Sequence, residues 1–170
     1  LAGSAAEELE RVMPQSLVCR LSVAGQKAGD GGSPELELGV LHDALSTPGF
    51  TRCLLDMFVT RGRSNSRMGS LQAEPDDLFA QLRVGEELLP VPSETEVVTP
   101  SVTCSTRILV KYFRLVAEGT HPEVEVGRFL SSRAERHASP RYAGALQYQA
   151  RGRRERTVLA MLQEYRGNEG

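Results

Sequence analysis

The second half of the chain alternates between two hydrophobic periodicities, and this alternation limits the folds that it can adopt. Strand-like segments of period two flank one helical segment of period about 3.6. In order along the chain, with the helix third, these segments cover residues 94–103, 107–114, 122–136, 141–149 and 157–165. A helix between pairs of strands has to bury its apolar stripe on the sheet that they form. The order therefore predicts an α+β fold, with one helix packed on an antiparallel sheet of at least four strands.

The first half of the chain has shorter patterns. Residues 5–13 are typical of a polar helix, residues 16–24 of a strand and residues 25–33 of a glycine-rich loop. Thr47 followed by Pro48 predicts a helix start, and apolar residues at helical spacing continue toward Gly62. The rest of this half is predicted as a polar loop, a short helix and a linker: residues 61–70, residues 75–82, and the segment with Pro90 and Pro92.

Composition narrows the class of protein. A chain of 170 residues, 40% of them hydrophobic, can bury a core of its own. Its formal charge of -2 provides no overall field toward nucleic acid or membranes, so neither partner is expected. The apolar runs are far shorter than the roughly 20 residues of a membrane span. The three cysteines and three histidines lack metal-ligand spacing, so we expect reduced thiols, no metal site and a cytoplasmic protein.

Lys111 is the clearest candidate for a functional residue in the second half of the chain. Side chains alternate along a strand, so Ile108, Val110 and Tyr112 are expected on one face. Leu109, Lys111 and Phe113 are then expected on the other. One interpretation is a lysine whose stem covers these apolar neighbours while its amine reaches water.

A second interpretation pairs Lys111 with Glu125. This glutamate lies in the first turn of the predicted helix, one turn before the apolar Phe129, and is therefore expected near the packed side. Kinase-like folds fix an amine on nucleotide phosphates with a strand lysine and a glutamate of the next helix. The alternative for Glu125 is favourable placement near a helix N-terminus, worth about 0.3 to 1 kcal/mol.

Several uncommon strings occur in the order and spacing of a known family. They are RILVKYFR at residues 107–114, EG at 118–119, HPEVEVGRFL at 121–130 and LAMLQEY at 159–165. Together they resemble the N-terminal lobe of maltokinases, including maltokinases fused to trehalose synthase. Residues 43–50 and 71–82 resemble the cap subdomain of the same family, so the likeness covers about residues 37–170. It implies a cap over residues 1–92 and a kinase-like N-lobe over residues 93–170 that ends at the hinge between lobes.

The resemblance also implies site residues. Lys111 and Ser101 would contact the phosphates of ATP, Glu125 would hold the lysine, and the hinge that meets the adenine would be Gln163, Glu164 and Tyr165. The implied reaction transfers the γ-phosphoryl group of ATP to the anomeric hydroxyl of maltose. The catalytic aspartate and the Mg²⁺ site would belong to a second lobe, so this chain would contain no catalytic residue and no metal ligand.

These implications predict the N-terminal portion of an ATP-dependent maltose kinase that is inactive alone. Leu1 and Gly170 are expected to be cut ends of a longer polypeptide, whose second lobe, and in fused members a trehalose synthase domain, would be the partners. The alternative is a non-catalytic, degenerate kinase-like module that regulates or scaffolds such a glycoside-processing domain. It stays open because Val97, Val98 and Pro100 stand where the family has a polar phosphate loop.

Two further features carry alternatives. Residues 150–156 form a basic turn with four arginines interrupted by Glu155. The favoured interpretation is a solvated turn, and the alternative is a binder of an acidic partner or of nucleic acid. His121 is expected to serve the start of its helix.

Overall fold

The structure is a computed structural model that describes residues 3–12, 14–24, 36–85, 87–92, 100–133 and 139–166. The chain forms two compact units, Leu1–Thr47 and Pro48–Gly170. The predicted subdomain boundary between residues 92 and 93 follows the family resemblance and stays a prediction. None of the helices in the described ranges has the length and apolar character that a membrane crossing needs.

The first unit is a helix with a two-stranded antiparallel hairpin. Its elements are α1 (Ser4–Val12), a 3-10 turn (Pro14–Ser16), β1 (Leu17–Ala24), β2 (Leu36–His42) and a second 3-10 turn (Ala44–Ser46). β1 pairs with β2 from Leu17 opposite His42 to Ala24 opposite Leu36. Ala6 and Val40 are its buried apolar residues. The helix and the strand predicted here are confirmed, and the predicted glycine-rich loop lies outside the described residues.

The second unit is built on a seven-stranded sheet. Its elements are α2 (Pro48–Thr60), β3 (Arg63–Asn65), β4 (Gly69–Pro75), α3 (Asp77–Leu82), β5 (Pro90–Pro92), β6 (Ser101–Cys104), β7 (Ile108–Tyr112), α4 (Pro122–Ser131), β8 (Tyr142–Ala150) and β9 (Thr157–Glu164). The strand order is β3-β4-β8-β9-β7-β6-β5, and every neighbouring pair is antiparallel. The predicted α+β class is confirmed.

Three strands of this sheet, β3, β4 and β5, were not expected. Residues 61–70 were predicted as a loop and the segment of Pro90 and Pro92 as a linker, and both predictions were wrong. Residues 63–65 pair with β4, and Pro90–Pro92 forms the strand β5 at the edge of the sheet. β3 and β5 lack an alternating apolar pattern because they are the two edge strands of the sheet, so backbone pairing rather than side-chain burial defines them.

The helices of the second unit cover both faces of the sheet. The buried Tyr112 of β7 approaches α2, where its hydroxyl oxygen lies 3.1 Å from Oγ1 of the buried Thr51. The adjacent Lys111 points to the other face and contacts α4. Because consecutive strand residues point to opposite faces, α2 and α4 lie on opposite sides of the sheet. α3 joins α2, with the rings of Phe79 and Phe58 5.8 Å apart.

α4 packs through a face that the apolar stripe did not indicate. The apolar spacing of Val126, Phe129 and Leu130 predicts that this side of the helix is packed. Val126 and Phe129 are nevertheless 55% and 54% exposed, whereas Val124 is fully buried beside Tyr142 and Met161. The packed face instead follows Val124, Gly127, Arg128 and Ser131, which also recur at helical spacing. Glycine and serine bring the helix close to the sheet, so this face does not read as hydrophobic. The helix ends at Ser131, and residues 134–136 of the predicted helix lie outside the described residues.

Both predicted hairpins of the second unit are present. The turn between β6 and β7 places Ser105 in the left-handed region at φ 60°. The basic turn joins β8 to β9, with Gly152 at φ 79°.

We expect Gly144→Ala to lower the free energy of unfolding by about 1 to 3 kcal/mol, because there is no room for a Cβ atom at this position. A Cβ at this position would lie 2.9 Å from the Glu74 carbonyl oxygen and 3.0 Å from Phe58 Cε1. Urea unfolding followed by circular dichroism measures the change. Gly49→Ala is the matched control, since a Cβ at Gly49 meets no atom within 4 Å and its stability should be unchanged or slightly higher. Equal effects of the two substitutions would contradict the close packing.

Candidate functional site

Lys111 lies in the middle of the sheet face that α4 partly covers. In register, Ser101 of β6 is opposite Lys111 on one side and Met161 of β9 on the other. Residues directly opposite each other on neighbouring strands share a face, so these three side chains form one row. The Lys111 side chain is 27% exposed and Ser101 is 9% exposed. The Lys111 side chain is thus partly open to solvent, while its methylene groups near the backbone are packed.

The carboxylate beside Lys111 belongs to Glu123. Lys111 Nζ lies 3.2 Å from Glu123 Oε2, an ion pair whose glutamate is 44% exposed. The predicted partner was Glu125, which is exposed and forms no ion pair or side-chain hydrogen bond within the described ranges. The cause is the rotation of α4. Val124 points into the sheet, so Glu123 and Glu125 project on opposite sides of it, each about 100° away.

The start of α4 is fixed by His121. Its Nδ1 accepts a hydrogen bond from the Glu123 backbone N–H at 3.3 Å, so His121 caps the helix as predicted. Its ring stacks on Phe113, with 3.7 Å between centroids. Phe113 is itself anchored, because its N–H donates to the Leu159 carbonyl oxygen at 2.9 Å. The cap and the stacking together define where the first turn, and hence Glu123, lies above the sheet.

The far end of α4 is held by a polar cluster of Glu74, Arg128, Tyr142, Gln147 and Arg156. Arg128 Nη2 donates to the Tyr142 hydroxyl at 3.0 Å and lies 3.6 Å from Glu74 Oε2. Gln147 Nε2 donates to Glu74 Oε2 at 2.9 Å, and Arg156 forms an ion pair with the same carboxylate. Burial raises the pKa of Tyr142.

Sequence reasoning missed this polar cluster entirely. Its members come from β4, α4, β8 and the basic turn, and Glu74 is 82 residues from Arg156. The only sequence signal was the charge of Glu74, which lies between a predicted loop, residues 61–70, and a predicted helix, residues 75–82. Because such contacts form only once the sheet order is set, nothing in the local pattern pointed to them.

The predicted hinge residues lie at the end of β9. Gln163 is opposite Leu109 and Glu164 is opposite Ile108. Since Met161 is opposite Lys111, Gln163 lies two residues further along β9 on the same face as the lysine. Tyr165 follows the strand, and its N–H donates to the Arg107 carbonyl oxygen at 2.7 Å.

Glu164 faces away from this row and is bound by two arginines. Its carboxylate lies 3.1 Å from Arg141 Nη2 and 3.1 Å from Arg166 Nη2. The hydrogen bond from Arg141 is the main cause that holds the pKa of Glu164 below its ordinary value, and Arg166 adds to it. The structure thus brings Ser101, Lys111 and Gln163 to one face and uses Glu164 to join the ends of β8 and β9.

The cysteines, the possible metal ligands and the residues expected in the phosphate loop add no reactive group to the site among the described residues. Cys104 is buried, and this burial raises the pKa of its thiol to about 12, so it is a poor nucleophile. Cys19 and Cys53 are exposed free thiols. Among the described residues, no group of three or more His, Cys, Asp or Glu is placed to hold a metal ion. Val97 and Val98 lie outside the described residues, and the Pro100 carbonyl oxygen accepts the Tyr112 N–H at 2.9 Å.

Chemically, the site is a fixed cation with one neighbouring carboxylate and one hydroxyl opposite it. Such a group can bind an anion at the open side of the sheet. No protein-family model matches this chain, and no curated protein matches it either. The family resemblance therefore stays a prediction.

A double-mutant cycle distinguishes the two glutamates. We expect Lys111→Met and Glu123→Gln to show a coupling of about 0.2 to 1 kcal/mol in the free energy of unfolding, the usual range for a partly exposed pair. The matched cycle of Lys111→Met with Glu125→Gln should give no coupling above error. Coupling only in the Glu125 cycle would contradict the pairing described above.

The arginines around Glu164 predict a pH-dependent stability. Since the pKa of Glu164 is lower in the folded protein, its stabilising contribution is complete above its unfolded pKa of about 4.3 and disappears as the pH falls through the folded value. Glu164→Gln should therefore destabilise the protein near neutral pH, and this difference should shrink as the pH falls below the unfolded pKa and through the folded one. Urea titrations across this range measure it.

Glu87→Gln is the control for the pH experiment. The Glu87 side chain is 69% exposed and its carboxylate lies 3.9 Å from Arg52, so its removal should have little effect at any pH. A difference between native protein and Glu164→Gln that persists unchanged at low pH would contradict the role of the two arginines.

Proposed function

We propose that this chain provides the cap and N-lobe of an ATP-dependent maltose kinase, with Lys111 as the residue that anchors the nucleotide phosphates. One observation carries the proposal. Lys111 lies on β7, and its amine lies 3.2 Å from a glutamate of α4, the helix that follows this strand. Protein kinases likewise hold their phosphate-binding lysine on a strand and pair it with a glutamate of the next helix.

The surroundings of Lys111 suit a phosphate ligand. The amine is fixed by Glu123, and the Lys111 side chain remains 27% exposed, so an anion can reach the amine while the methylene groups near the backbone stay packed. Ser101, directly opposite on β6, adds a hydroxyl on the same face. Binding phosphate would bring a more negative partner to an amine that is already oriented, which lowers the entropy cost of the contact.

The position of Gln163 relative to Lys111 suggests how a nucleotide would lie along the sheet. Gln163 lies two residues beyond Met161 on β9, about 7 Å along the strand from the lysine row. A nucleotide whose phosphates meet Lys111 would place its base toward Gln163 and Tyr165, at the end of the sheet. Bound ATP would supply the transferable γ-phosphoryl group, and the residues of this chain would position it.

Catalysis itself is assigned to another lobe of the same polypeptide. Following the resemblance to maltokinases, the proposal places the catalytic aspartate and the metal ligands outside this chain, together with most contacts to maltose. The choice of maltose as the sugar rests on the resemblance of residues 107–130 and 159–165 to maltokinases.

Replacing the lysine tests the proposal in the longer polypeptide that carries this chain. Lys111→Met should lower the rate of maltose phosphorylation by ATP by about 100-fold, because a fixed charge that neutralises the transferred group is lost. The assay measures maltose 1-phosphate formation, and circular dichroism checks the fold. Arg83→Gln removes one exposed positive charge elsewhere in the second unit and should leave the rate unchanged.

The coding sequence after residue 170 provides an independent test. A catalytic loop of the His-Gly-Asp type and a downstream metal-binding aspartate are expected there. If both are missing, or if Lys111→Met has normal turnover, the kinase function is wrong. A lobe without those motifs would favour the non-catalytic, regulatory module.

A further inference from the structure

Two hairpin tips meet at one end of the seven-stranded sheet, far along the chain from each other. The tip between β3 and β4 covers residues 66–68, and the basic turn between β8 and β9 covers residues 151–156. Gly69 of β4 is opposite Ala150 of β8, and the Arg151 N–H donates to the Met68 carbonyl oxygen at 2.8 Å. This contact joins the tips, so arginines that are about 90 positions apart in the sequence become neighbours.

Between the tips lies an open cleft of about 330 Å³. This volume falls in the range of small-molecule sites. Asn65, Ser70 and Gln149 are opposite one another in register and form its floor. The walls are formed by Ser66 and three arginines, Arg63, Arg151 and Arg153. The lining contains no carboxylate. The whole chain has a net charge of -2, so the positive charge of the cleft is a local feature that does not follow from the overall composition.

The arginines are only partly neutralised by nearby groups. Arg63 Nη2 donates to the Ser70 hydroxyl at 2.9 Å, which fixes its guanidinium against the wall without using its charge. Arg153 has an exposed ion pair with Glu118 at 3.3 Å, a weak contact in water. Within the described ranges, Arg151 forms no ion pair. Two of the three guanidinium groups therefore keep their charge available for an anion.

The cleft is also held in shape before any ligand binds. Ser66 closes the first tip, since its hydroxyl donates to the Gly69 carbonyl oxygen at 3.0 Å and accepts the Met68 N–H at 3.2 Å. Gly69 itself is packed so closely that a Cβ would lie 2.7 Å from the Tyr148 hydroxyl oxygen. Because these contacts fix the tips, binding at the cleft does not have to order two loops first.

We propose that this cleft binds a small phosphate-bearing anion. Guanidinium groups match the geometry of phosphate oxygens, and the Ser70 hydroxyl and the Asn65 amide on the floor can donate to the remaining acceptors. The lining contains no aromatic side chain, so single-stranded nucleic acid would lack the stacking platform that such ligands use. The cleft is formed by β3, β4, β8 and the basic turn, so the inference stands independently of the role proposed for Lys111.

Calorimetry of the 170-residue chain with sodium pyrophosphate at low ionic strength tests the cleft. We expect saturable binding of one pyrophosphate per chain. Arg63→Gln combined with Arg151→Gln should weaken it by about tenfold or more, because two charge-assisted hydrogen bonds are lost. Glucose 1-phosphate in a parallel titration distinguishes a phosphomonoester from an inorganic polyphosphate as the preferred source of the same chemistry.

The control is Arg83→Gln combined with Arg107→Gln, which removes the same charge from exposed positions outside the cleft and should bind as the native chain does. Arg151→Gln alone is the safeguard against misfolding, since it breaks no described side-chain contact, and it should still weaken binding by about threefold or more. Three results would overturn the proposal: no binding to the native chain, equal weakening in cleft and control variants, or tighter binding of a single-stranded oligonucleotide that depends on Arg63 and Arg151.

Discussion

The burial of Val124 determines how the second unit is organised around its central lysine. This one side chain, enclosed by Tyr142, Met161 and Phe113, sets the rotation of α4 about its own axis. Rotation decides which helix residues face which part of the sheet, because neighbours on a helix are about 100° apart. Glu123 therefore meets Lys111, and Arg128, one turn later, meets Tyr142. The polar contacts of the helix are consequences of an apolar one.

The central strands were predictable because burial leaves a period-two pattern in them. Ile108, Val110 and Tyr112 are buried, as their alternation indicated, and the phase of Lys111 followed from them. The packed face of α4 was not predictable in the same way. Gly127, Arg128 and Ser131 approach the sheet through small size or a polar end, so hydrophobicity favoured the exposed Val126 and Phe129. Because the side of Val126 and Phe129, rather than the side of Val124, was taken as the packed one, Glu125 was predicted in place of Glu123 as the partner of Lys111.

The polar cluster and the cleft lay beyond local reasoning for a different reason. Both depend on β4 lying next to β8, a pairing between residues 69 to 81 positions apart. In β4, Leu71 and Ala73 alternate with the polar Ser70, Gln72 and Glu74, and this short alternation does not say which strand lies beside it. A positively charged segment such as residues 151–156 can be recognised in a sequence, but whether it faces solvent or a second arginine-bearing loop depends on the strand order.

The edge strand β5 has a consequence for how the second unit can meet other chains. It begins and ends with proline, at Pro90 and Pro92, and its inner side is already paired with β6. Proline has no N–H, so this edge lacks the regular ladder of donors that a strand from another molecule would need. Sheet extension is thereby discouraged at this edge. Association with another protein at this edge would have to use side chains, whose recognition depends on shape and charge rather than on backbone hydrogen bonding.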